Sequence, residues 1–337
     1  MPSFDEARLM VKIARLYYDQ GLRQQEITER LGIHQSTISR LLKRARDTNV
    51  VRISIAPPTG VHADLEEAIE QKFGLQQAII VDTPDDADAD QIERELGTAA
   101  AFYLETTVRK DMVIGLSPWG QALITMVERM SPNQRGKGGT VVQILGGVGN
   151  VQSRQYDPHL IQQLSANIGA TPVLLQVPAV VGSPEARRVL SSDPAVREAA
   201  AYFDRIDLAV VALGSLMSLR PVGPNVAATF SDEERAELSK LGAVGDVCLR
   251  FIDSEGKPIR SALINRVMGI DLPALRQVGR IVGIAGGVRK LPVVRASLKG
   301  KWIDVLITDQ QTGEQLLADA PTPKKGRTRA KTPAAVG

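Results

Sequence analysis

The sequence predicts an α/β protein: an N-terminal three-helix helix-turn-helix domain followed by a larger domain with a doubly wound, mostly parallel sheet. Three observations predict this fold. Apolar residues recur at helical spacing in the first part of the chain, short apolar runs alternate with helical stretches in the rest, and runs such as LAVVAL (208–213) are apolar throughout. Continuous apolar strands suit a sheet covered on both faces, and their alternation with helices favours parallel pairing.

The individual elements follow from apolar periodicity and from Gly and Pro breaks. In the first domain we predict helices at 5–19, 23–31 and 35–47 and a strand at 50–55. An amphipathic helix is predicted at 62–73. In the larger domain we predict strands at 78–82, 112–116, 140–145, 173–177, 207–213, 246–252, 281–285 and 303–308. Its helices are predicted at 88–107, 119–130, 157–168, 193–203, 231–240 and 291–298.

Composition divides the chain into four segments. Residues 1–56 are predicted to form the helix-turn-helix domain and 75–318 the α/β domain. Between them, 57–74 combine the linker sequence PPTG with the amphipathic helix, which could join the domains or pack against a second subunit. Residues 319–337, rich in Pro, Thr, Ala and Lys/Arg, are predicted to be a disordered basic tail.

Charge is distributed unevenly along the chain. The net charge is +3, yet residues 1–56 hold 10 Lys/Arg against 6 Asp/Glu, and residues 319–337 hold 5 against 1. The intervening 57–318 hold 26 against 31 and are therefore acidic. This pattern indicates that an end of the chain, rather than its middle, meets a polyanion.

Several classes of protein are disfavoured by composition. The sequence contains neither an apolar run of the roughly 20 residues that span a bilayer nor a signal-peptide pattern, so we expect a cytoplasmic protein. The single cysteine, Cys248, is expected to be a buried, inert thiol. His34, His62 and His159 are scattered without metal-ligand spacing, and no nucleotide or dinucleotide fingerprint is present. We therefore expect no metal and no cofactor.

The segment 25–42, QEITERLGIHQSTISRLL, is the strongest motif in the chain. Gly32 can supply the tight turn between two short helices because glycine adopts positive φ without steric cost. Ile27, Leu31, Ile33, Ile38 and Leu41 would lock the helices together. His34 stands where Ser or Thr usually caps the second helix and is a poorer cap; it could instead donate to a phosphate.

The opposite face of the third helix carries the side chains that a DNA groove reader needs. Gln and Arg can form paired hydrogen bonds to base edges, and small hydroxyls fit closely against bases or phosphates. We predict DNA contacts from Gln35, Ser36, Thr37, Ser39, Arg40, Lys43 and Arg44. The first five would contact bases or nearby phosphates, whereas Lys43, Arg44 and Arg46, further along the helix, would hold phosphates. The basic tail could contact the same duplex or only keep the chain soluble.

Glycine-rich segments follow three of the predicted strands: GLSPWGQ (115–121), GGVG (146–149) and Gly286-Gly287. In a parallel sheet, the loops at the carboxyl ends of the strands line one crevice, where ligands bind. Glycine allows backbone N–H groups to approach an anion, and a following helix N-terminus favours negative charge. Each loop alone could be an ordinary turn. Together with Lys290, they indicate a phosphate site.

These segments together resemble the SorC family of sugar-responsive bacterial regulators. The resemblance covers about residues 5–318 and rests on the 25–42 segment, Gly115-Leu116-Ser117, VVQILGG (141–147), DLAVVALGS (207–215), GAVGD (242–246), NRVMG (265–269), IVGIAGGVRK (281–290) and DVLITD (304–309). It implies operator DNA as partner, a phosphorylated sugar or polyol as effector, an effector domain similar in fold to sugar-phosphate isomerases, and a homo-oligomer, either a tetramer or a dimer.

The resemblance also implies an effector-binding set. Ser117, Trp119, Gly120, Gln121, Gly146 and Gly147 would border the effector phosphate. Asp246 would accept hydrogen bonds from effector hydroxyls, and Lys290 would pair with the phosphate or a sugar oxygen. Two alternatives stay open: Asp246 could be a structural cap at a strand start, and Lys290 a solvated lysine. Because no lysine lies between residues 111 and 136, a Schiff base there is excluded and binding is expected to be non-covalent.

Two other functions compete with a regulator. A sugar-phosphate isomerase or deaminase with an added DNA-binding arm would need a general base close to an acid, and Asp246 has no clear His or Glu partner in the sequence. A transposase-type enzyme would need clustered metal-binding carboxylates, which we do not identify. The sequence therefore favours a non-enzymatic, effector-controlled DNA-binding regulator.

Overall fold

The structure is a computed structural model that describes residues 4–51, 58, 60–84, 86–147, 158–216 and 230–318. It divides into two compact units, the first ending at Pro58 and the second beginning at Thr59. Most of the predicted strand at 50–55, half of the GGVG loop and the basic tail 319–337 lie outside the described residues.

The first unit is a three-helix bundle. Its helices are α1 (Phe4–Ala14), α2 (Gln24–Leu31) and α3 (Gln35–Asp47), and α1 continues into a π-helical segment, Arg15–Asp19. Ile13, Ile27 and Ile38 are fully buried at the centre, one from each helix. The predicted helices are therefore present, although the last turn of the first one widens from α to π geometry.

The second unit is built on one twisted sheet. Among the described residues the strands are β1 (Gln77–Val81), β2 (Val113–Leu116), β3 (Thr140–Gln143), β4 (Thr171–Val173), β5 (Leu208–Ser215), β6 (Ala243–Val247), β7 (Arg250–Asp253), β8 (Ile281–Ile284) and β9 (Val305–Asp309). Seven strands run parallel in the order β1-β9-β8-β5-β2-β3-β4. On one side of the central strand β5 lie β2, β3 and β4, and on the other side lie β8, β9 and β1. This parallel strand order confirms the predicted doubly wound α/β fold.

Helices cover both faces of this sheet. The longer helices of the unit are α4 (Ala63–Phe73), α5 (Ala89–Thr107), α6 (Gln121–Arg129), α7 (His159–Ile168), α8 (Pro184–Ser192), α9 (Pro194–Ala200), α10 (Asp232–Lys240), α12 (Leu291–Lys299) and α13 (Gln310–Ala318). A single-turn helix, α11, spans Leu272–Leu275. One apolar core joins the sheet to α4, α12 and α13, and another joins it to α5, α6 and α7. The amphipathic helix α4 packs on β1 and α13 through Ile69.

The segment predicted as one strand, 246–252, is instead a hairpin of β6 and β7. Cys248 and Leu249 form its two-residue turn with φ of 51° and 58°. A tight hairpin turn of this kind needs positive φ at both central residues, which usually selects Gly, Asn or Asp. The apolar Cys-Leu pair gave no turn signal, so the prediction of a continuous strand was wrong.

The hairpin projects from the central strand. β5 pairs with β8 over Ala209–Ala212, and its last three residues, Leu213–Ser215, pair with β6 in antiparallel fashion. Because β5 is longer than its parallel neighbours, it extends beyond the carboxyl edge of the sheet and holds the hairpin there. This arrangement places Asp246 directly opposite Gly214.

Smaller differences from the prediction occur at element ends. β4 lies at Thr171–Val173 rather than at 173–177. The predicted helix 193–203 is the short helix α9, capped by Asp193, followed by a 3₁₀ turn at Phe203–Arg205. Three of the described helices were not predicted: α8, which Ser183 caps, the single-turn α11, and α13, which begins immediately after β9.

Candidate DNA-reading surface and effector crevice

The helix α3 buries one face and presents the other. Ile38, Leu41, Leu42 and Ala45 are buried at helical spacing. The side chains on the opposite face are exposed at Gln35, Ser36, Ser39, Arg40, Lys43 and Arg46, and half-buried at Thr37 and Arg44. The structure thus gathers all the predicted DNA-contacting residues on one polar, basic surface, which we call the reading face.

The turn before α3 has the geometry that the sequence predicts. Gly32 ends α2 with φ of 68° and donates its N–H to the Thr28 carbonyl oxygen at 2.8 Å. His34 occupies the N-cap position of α3 and makes no side-chain capping bond. The first-turn N–H groups of α3 therefore do not donate to the His34 side chain. A helix N-terminus without a side-chain cap is suited to approach a phosphate.

Arg44, one of the predicted DNA contacts, is engaged by an acidic side chain. Its Nη1 donates to Glu6 Oε1 at 2.6 Å, and the two side chains are 38% and 37% exposed. This ion pair ties α3 to α1. A phosphate contact by Arg44 would have to compete with Glu6, whereas no such pairing engages Arg40 or Lys43 within the described part of the chain.

In the second unit, the carboxyl ends of β2, β5 and β8 and the β6–β7 hairpin converge. Asp246 is buried, and its Oδ2 accepts the Leu249 N–H at 2.8 Å. This bond caps the hairpin turn that follows β6, so Asp246 has a structural role, although not the predicted alternative of a cap at a strand start. Burial raises the pKa of Asp246 to about 6, against the opposing effects of the Leu249 hydrogen bond and the Lys290 charge. The charge of Lys290, which follows the third glycine loop, therefore acts on Asp246.

Ser117 and Cys248 complete this cluster. The Cys248 thiol is hydrogen-bonded with the Ser117 side chain, and burial together with the Asp246 charge raises the pKa of the thiol to about 12. The thiol is therefore protonated at neutral pH, in agreement with the predicted inert role. The structure brings together Ser117, Asp246 and Lys290, three of the predicted effector residues that lie far apart in sequence; we call this region the crevice.

Lys290 is mostly buried and paired. Its Nζ donates to Glu93 Oε1 at 2.8 Å, and the side chains are 16% and 21% exposed. The alternative of a solvated lysine is therefore wrong for this structure. Glu93, on α5, was not among the predicted site residues, and its sequence context on an amphipathic helix gave no signal of this contact.

The first two glycine loops are joined to each other. Trp119 donates its indole N–H to the Gly146 carbonyl oxygen at 3.0 Å. The N–H groups of Gly146 and Gly147 donate to the carbonyl oxygens of Met268 and Val177, at 3.0 and 2.9 Å. These two amides hold the loop in place, so the predicted contribution of Gly146 and Gly147 to effector binding stays a prediction. Gly120, with φ of 130°, and Gln121 begin α6 beside this junction.

The third loop is fixed by a buried carboxylate. Asp309, at the end of β9, accepts the Gly287 N–H at 2.7 Å and the Thr312 hydroxyl at 2.6 Å. Asp309 is fully buried, and its second oxygen accepts the Thr312 N–H at 2.9 Å. Asp309 therefore positions the loop that leads to Lys290, a role that its place at the end of an apolar strand could have indicated.

Replacing Gly214 by alanine should disturb the crevice. A Cβ atom at this position would lie far inside van der Waals contact with Asp246 Oδ1. We expect Gly214→Ala to lower the free energy of unfolding by about 1–3 kcal/mol, since overpacking of a fitted interior costs this much. Urea unfolding followed by tryptophan fluorescence would measure it, because both tryptophans, Trp119 and Trp302, lie in the second unit.

The matched control is Gly182→Ala, where a Cβ would meet no atom within 4 Å. This variant should unfold within about 0.5 kcal/mol of the wild type. If both glycine variants unfolded alike, close contact between Gly214 and Asp246 would be contradicted.

No group of three or more His, Cys, Asp or Glu side chains able to hold a metal occurs within the described ranges. Helices of the length and apolarity needed to cross a membrane are also not found there.

Comparison with known proteins assigns both units. The sugar-binding domain family matches residues 58–318, and a homeodomain-like family matches residues 5–50. The sorbitol operon regulator of Klebsiella pneumoniae is 32% identical over 318 residues, which span 94% of this chain and 100% of that protein. The chain belongs to the SorC family of transcriptional regulators.

Other relatives of this SorC-family regulator agree with the assignment. The deoxyribonucleoside regulator of Bacillus subtilis is 32% identical over 94% of this chain and 99% of that protein. The crystal structure of full-length SorC from K. pneumoniae superposes with a TM-score of 0.69 at 32% identity, over 93% of this chain and 99% of the other. A DeoR family regulator from Listeria monocytogenes reaches 0.67 at 25% identity, over 76% and 99%. These relatives are named as regulators, so the enzymatic alternative is rejected.

Proposed function

We propose that this SorC-family regulator binds operator DNA with the reading face of α3 and that a small phosphorylated sugar or polyol, held in the crevice, controls this binding. The observation that carries the DNA-binding half is the reading face itself. Its exposed Gln, Ser and Arg side chains lie on a helix whose apolar residues are buried within the three-helix bundle. A helix of this kind can enter a major groove without exposing its core.

Replacing Arg40 or Lys43 by alanine should weaken DNA binding in two different ways. We expect Arg40→Ala to cost about 1–3 kcal/mol of discrimination between operator and random DNA, because a paired Arg–base contact carries that much. Lys43→Ala should weaken binding to all duplexes and reduce the slope of log affinity against log salt by about 1, since it removes one phosphate contact. Fluorescence anisotropy over a salt series, with operator and scrambled duplexes, would measure both.

The control for this pair is Lys12→Ala, an exposed lysine near the end of α1 that is not on the reading face. Equal losses on operator and scrambled DNA from both Arg40→Ala and Lys43→Ala would contradict the proposed division between base reading and phosphate contact.

Three features support the effector half of the proposal. Asp246 offers carboxylate oxygens suited to hydroxyl groups, and Lys290 offers a cation suited to a phosphate. Ser117 and the start of α6 lie at the same carboxyl edge of the sheet, where ligands of parallel α/β folds bind. In addition, the relatives are named for sorbitol and for deoxyribonucleosides, which are polyhydroxylated metabolites.

The effector test is a mobility-shift titration of the full chain on its own promoter DNA, with and without each member of a panel of sugar and polyol phosphates. We expect at least one phosphorylated compound to change the midpoint of DNA binding, and its unphosphorylated form to act far more weakly. A panel without any such change would contradict control by this ligand class.

We further propose that the chain acts as a homo-oligomer in the cytoplasm. A two-fold-related pair of reading faces can occupy two half-sites about one helical turn apart, which doubles the contacts that a single short helix makes. Sedimentation equilibrium would test the assembly: a dimer or tetramer is expected, and a monomer at micromolar concentration would contradict it.

A further inference from the structure

A cavity in the larger unit lies apart from the crevice residues. It has a volume of about 220 Å³, is partly open to solvent, and is lined by residues of α8, α9, the 3₁₀ turn at Phe203–Arg205 and the segment 267–269. None of the predicted effector residues lines it. Its polar lining consists chiefly of Arg187 and Ser191 on α8 and Arg197 on α9.

The two arginines bring unpaired donors into this cavity. Arg187 is anchored by its Nε, which donates to the Val267 carbonyl oxygen at 3.1 Å. Among the described residues, no protein acceptor engages the terminal nitrogens of Arg187 or the guanidinium of Arg197. A guanidinium presents several N–H donors in a planar fork, and carboxylate or phosphate oxygens are the groups that match it.

A third guanidinium strengthens the positive potential. Arg250 is buried, and its nitrogens donate to the carbonyl oxygens of Ile264, Gly269 and Ile270 at 3.1–3.3 Å. Burial, followed by the charge of Arg187, lowers the pKa of Arg250 to about 10, and Asp271 opposes this effect. At neutral pH three cations therefore lie at or beside the cavity, and an incoming anion would reduce the repulsion between them.

The remaining walls of the cavity indicate which chemical groups the rest of the ligand should carry. They are apolar, with Leu175, Val196, Phe203 and Met268 facing the cavity. A sugar would leave its hydroxyl groups unpaired against such walls, which is unfavourable. The volume lies below the range of about 300–1,000 Å³ that drug-sized ligands occupy, so the occupant must be small.

We propose that this cavity is a second ligand site, which binds a small organic anion consisting of a carboxylate on an apolar body. Its wall also contacts the second glycine loop: the Met268 carbonyl oxygen accepts the Gly146 N–H at 3.0 Å, and the Met268 N–H donates to the Ala179 carbonyl oxygen at 2.8 Å. A ligand seated against Met268 therefore touches a segment that holds the second glycine loop in place.

Benzoate is a suitable probe, with benzyl alcohol as its uncharged analogue of similar size. Isothermal titration calorimetry on the full chain should show one benzoate site per chain. Arg197→Gln should weaken benzoate binding about tenfold or more, because a hydrogen bond to a charged group contributes roughly that much affinity. Benzyl alcohol should bind wild-type protein at least about tenfold more weakly than benzoate, for the same reason.

Two control variants separate this cavity from other cationic sites. Arg188→Gln removes an exposed arginine of α8 that does not line the cavity, and Lys290→Gln alters the crevice. Both should leave benzoate binding unchanged. Arg197 is exposed, so its replacement should not affect folding.

Three results would each overturn the proposal: no saturable benzoate binding, equal binding of benzoate and benzyl alcohol, or an Arg197→Gln affinity equal to that of the wild type. A loss caused by Lys290→Gln as large as that caused by Arg197→Gln would place benzoate in the crevice and would overturn it as well.

Discussion

Asp246→Asn should make the protein more stable and less responsive to effector at the same time. The pKa of Asp246 is raised from an ordinary value of 3.8 to about 6, chiefly because burial disfavours the carboxylate. Since the folded-state pKa lies above the unfolded value, this group favours folding fully below pH 3.8, and that contribution is lost as pH rises through about 6. At pH 8 the ionised carboxylate therefore costs about 3 kcal/mol relative to a neutral group.

Asparagine is neutral at every pH and can still accept the Leu249 N–H with its amide oxygen. We therefore expect the variant to gain up to about 3 kcal/mol of unfolding free energy at pH 8 and to be indistinguishable from wild type near pH 3.5. Urea unfolding at a series of pH values, followed by tryptophan fluorescence, would show the two stability curves converging toward acid.

The gain in stability of the Asp246→Asn variant should be accompanied by a weaker response to the effector. An ionised Asp246 accepts hydrogen bonds only, whereas an amide presents both a donor and an acceptor to an effector hydroxyl. In the mobility-shift assay we expect the effector concentration at half response to rise about tenfold or more, as for loss of a hydrogen bond to a charged group. A variant that is more stable and equally responsive would show that Asp246 only caps the hairpin.

Lys290→Gln and Glu93→Gln should change effector affinity in opposite directions. Lys290→Gln removes the ammonium that would hold the effector phosphate, so affinity should fall about 10- to 100-fold. Glu93→Gln removes the carboxylate that now engages Lys290 at 2.8 Å, so an anionic effector no longer competes with it. Affinity should then rise several-fold. Titration of the effector against both variants in the same DNA-binding assay would measure the pair.

The matched control is Lys299→Gln, which breaks the Lys299–Glu255 pair near the end of α12. That pair is 40% and 60% exposed and lies outside the crevice, so effector affinity should not change. A fall in affinity with Glu93→Gln would mean that Glu93 positions Lys290 for the effector rather than competing with it.

The first unit was predictable because its information is local. Apolar spacing placed the helices within about two residues, and Gly32 marked the turn because its positive φ is a local requirement. The reading face follows directly from that periodicity. What the sequence did not show is that Arg44 pairs with Glu6, since that contact joins residues 38 positions apart.

The sheet was predictable in class because buried parallel strands are apolar throughout and alternate with helices. The exact bounds of the strands and helices were less predictable where a boundary depends on tertiary contacts. The β6–β7 hairpin turns at two apolar residues with positive φ, a conformation that their side chains do not favour and that the surrounding packing must hold. Similarly, α13 begins without a linker because Asp309 caps its first turn from inside the sheet.

By itself, the sequence determined a helix-turn-helix bundle with a polar, basic helix face, a doubly wound α/β unit with three glycine loops, and membership of a regulator family. Only the tertiary structure decided which distant groups share the crevice: Asp246 against Gly214, Lys290 on Glu93, and Cys248 beside Ser117. Periodicity encodes how each segment buries its own apolar face, whereas the meeting of these side chains depends on strand order and on the extra length of β5.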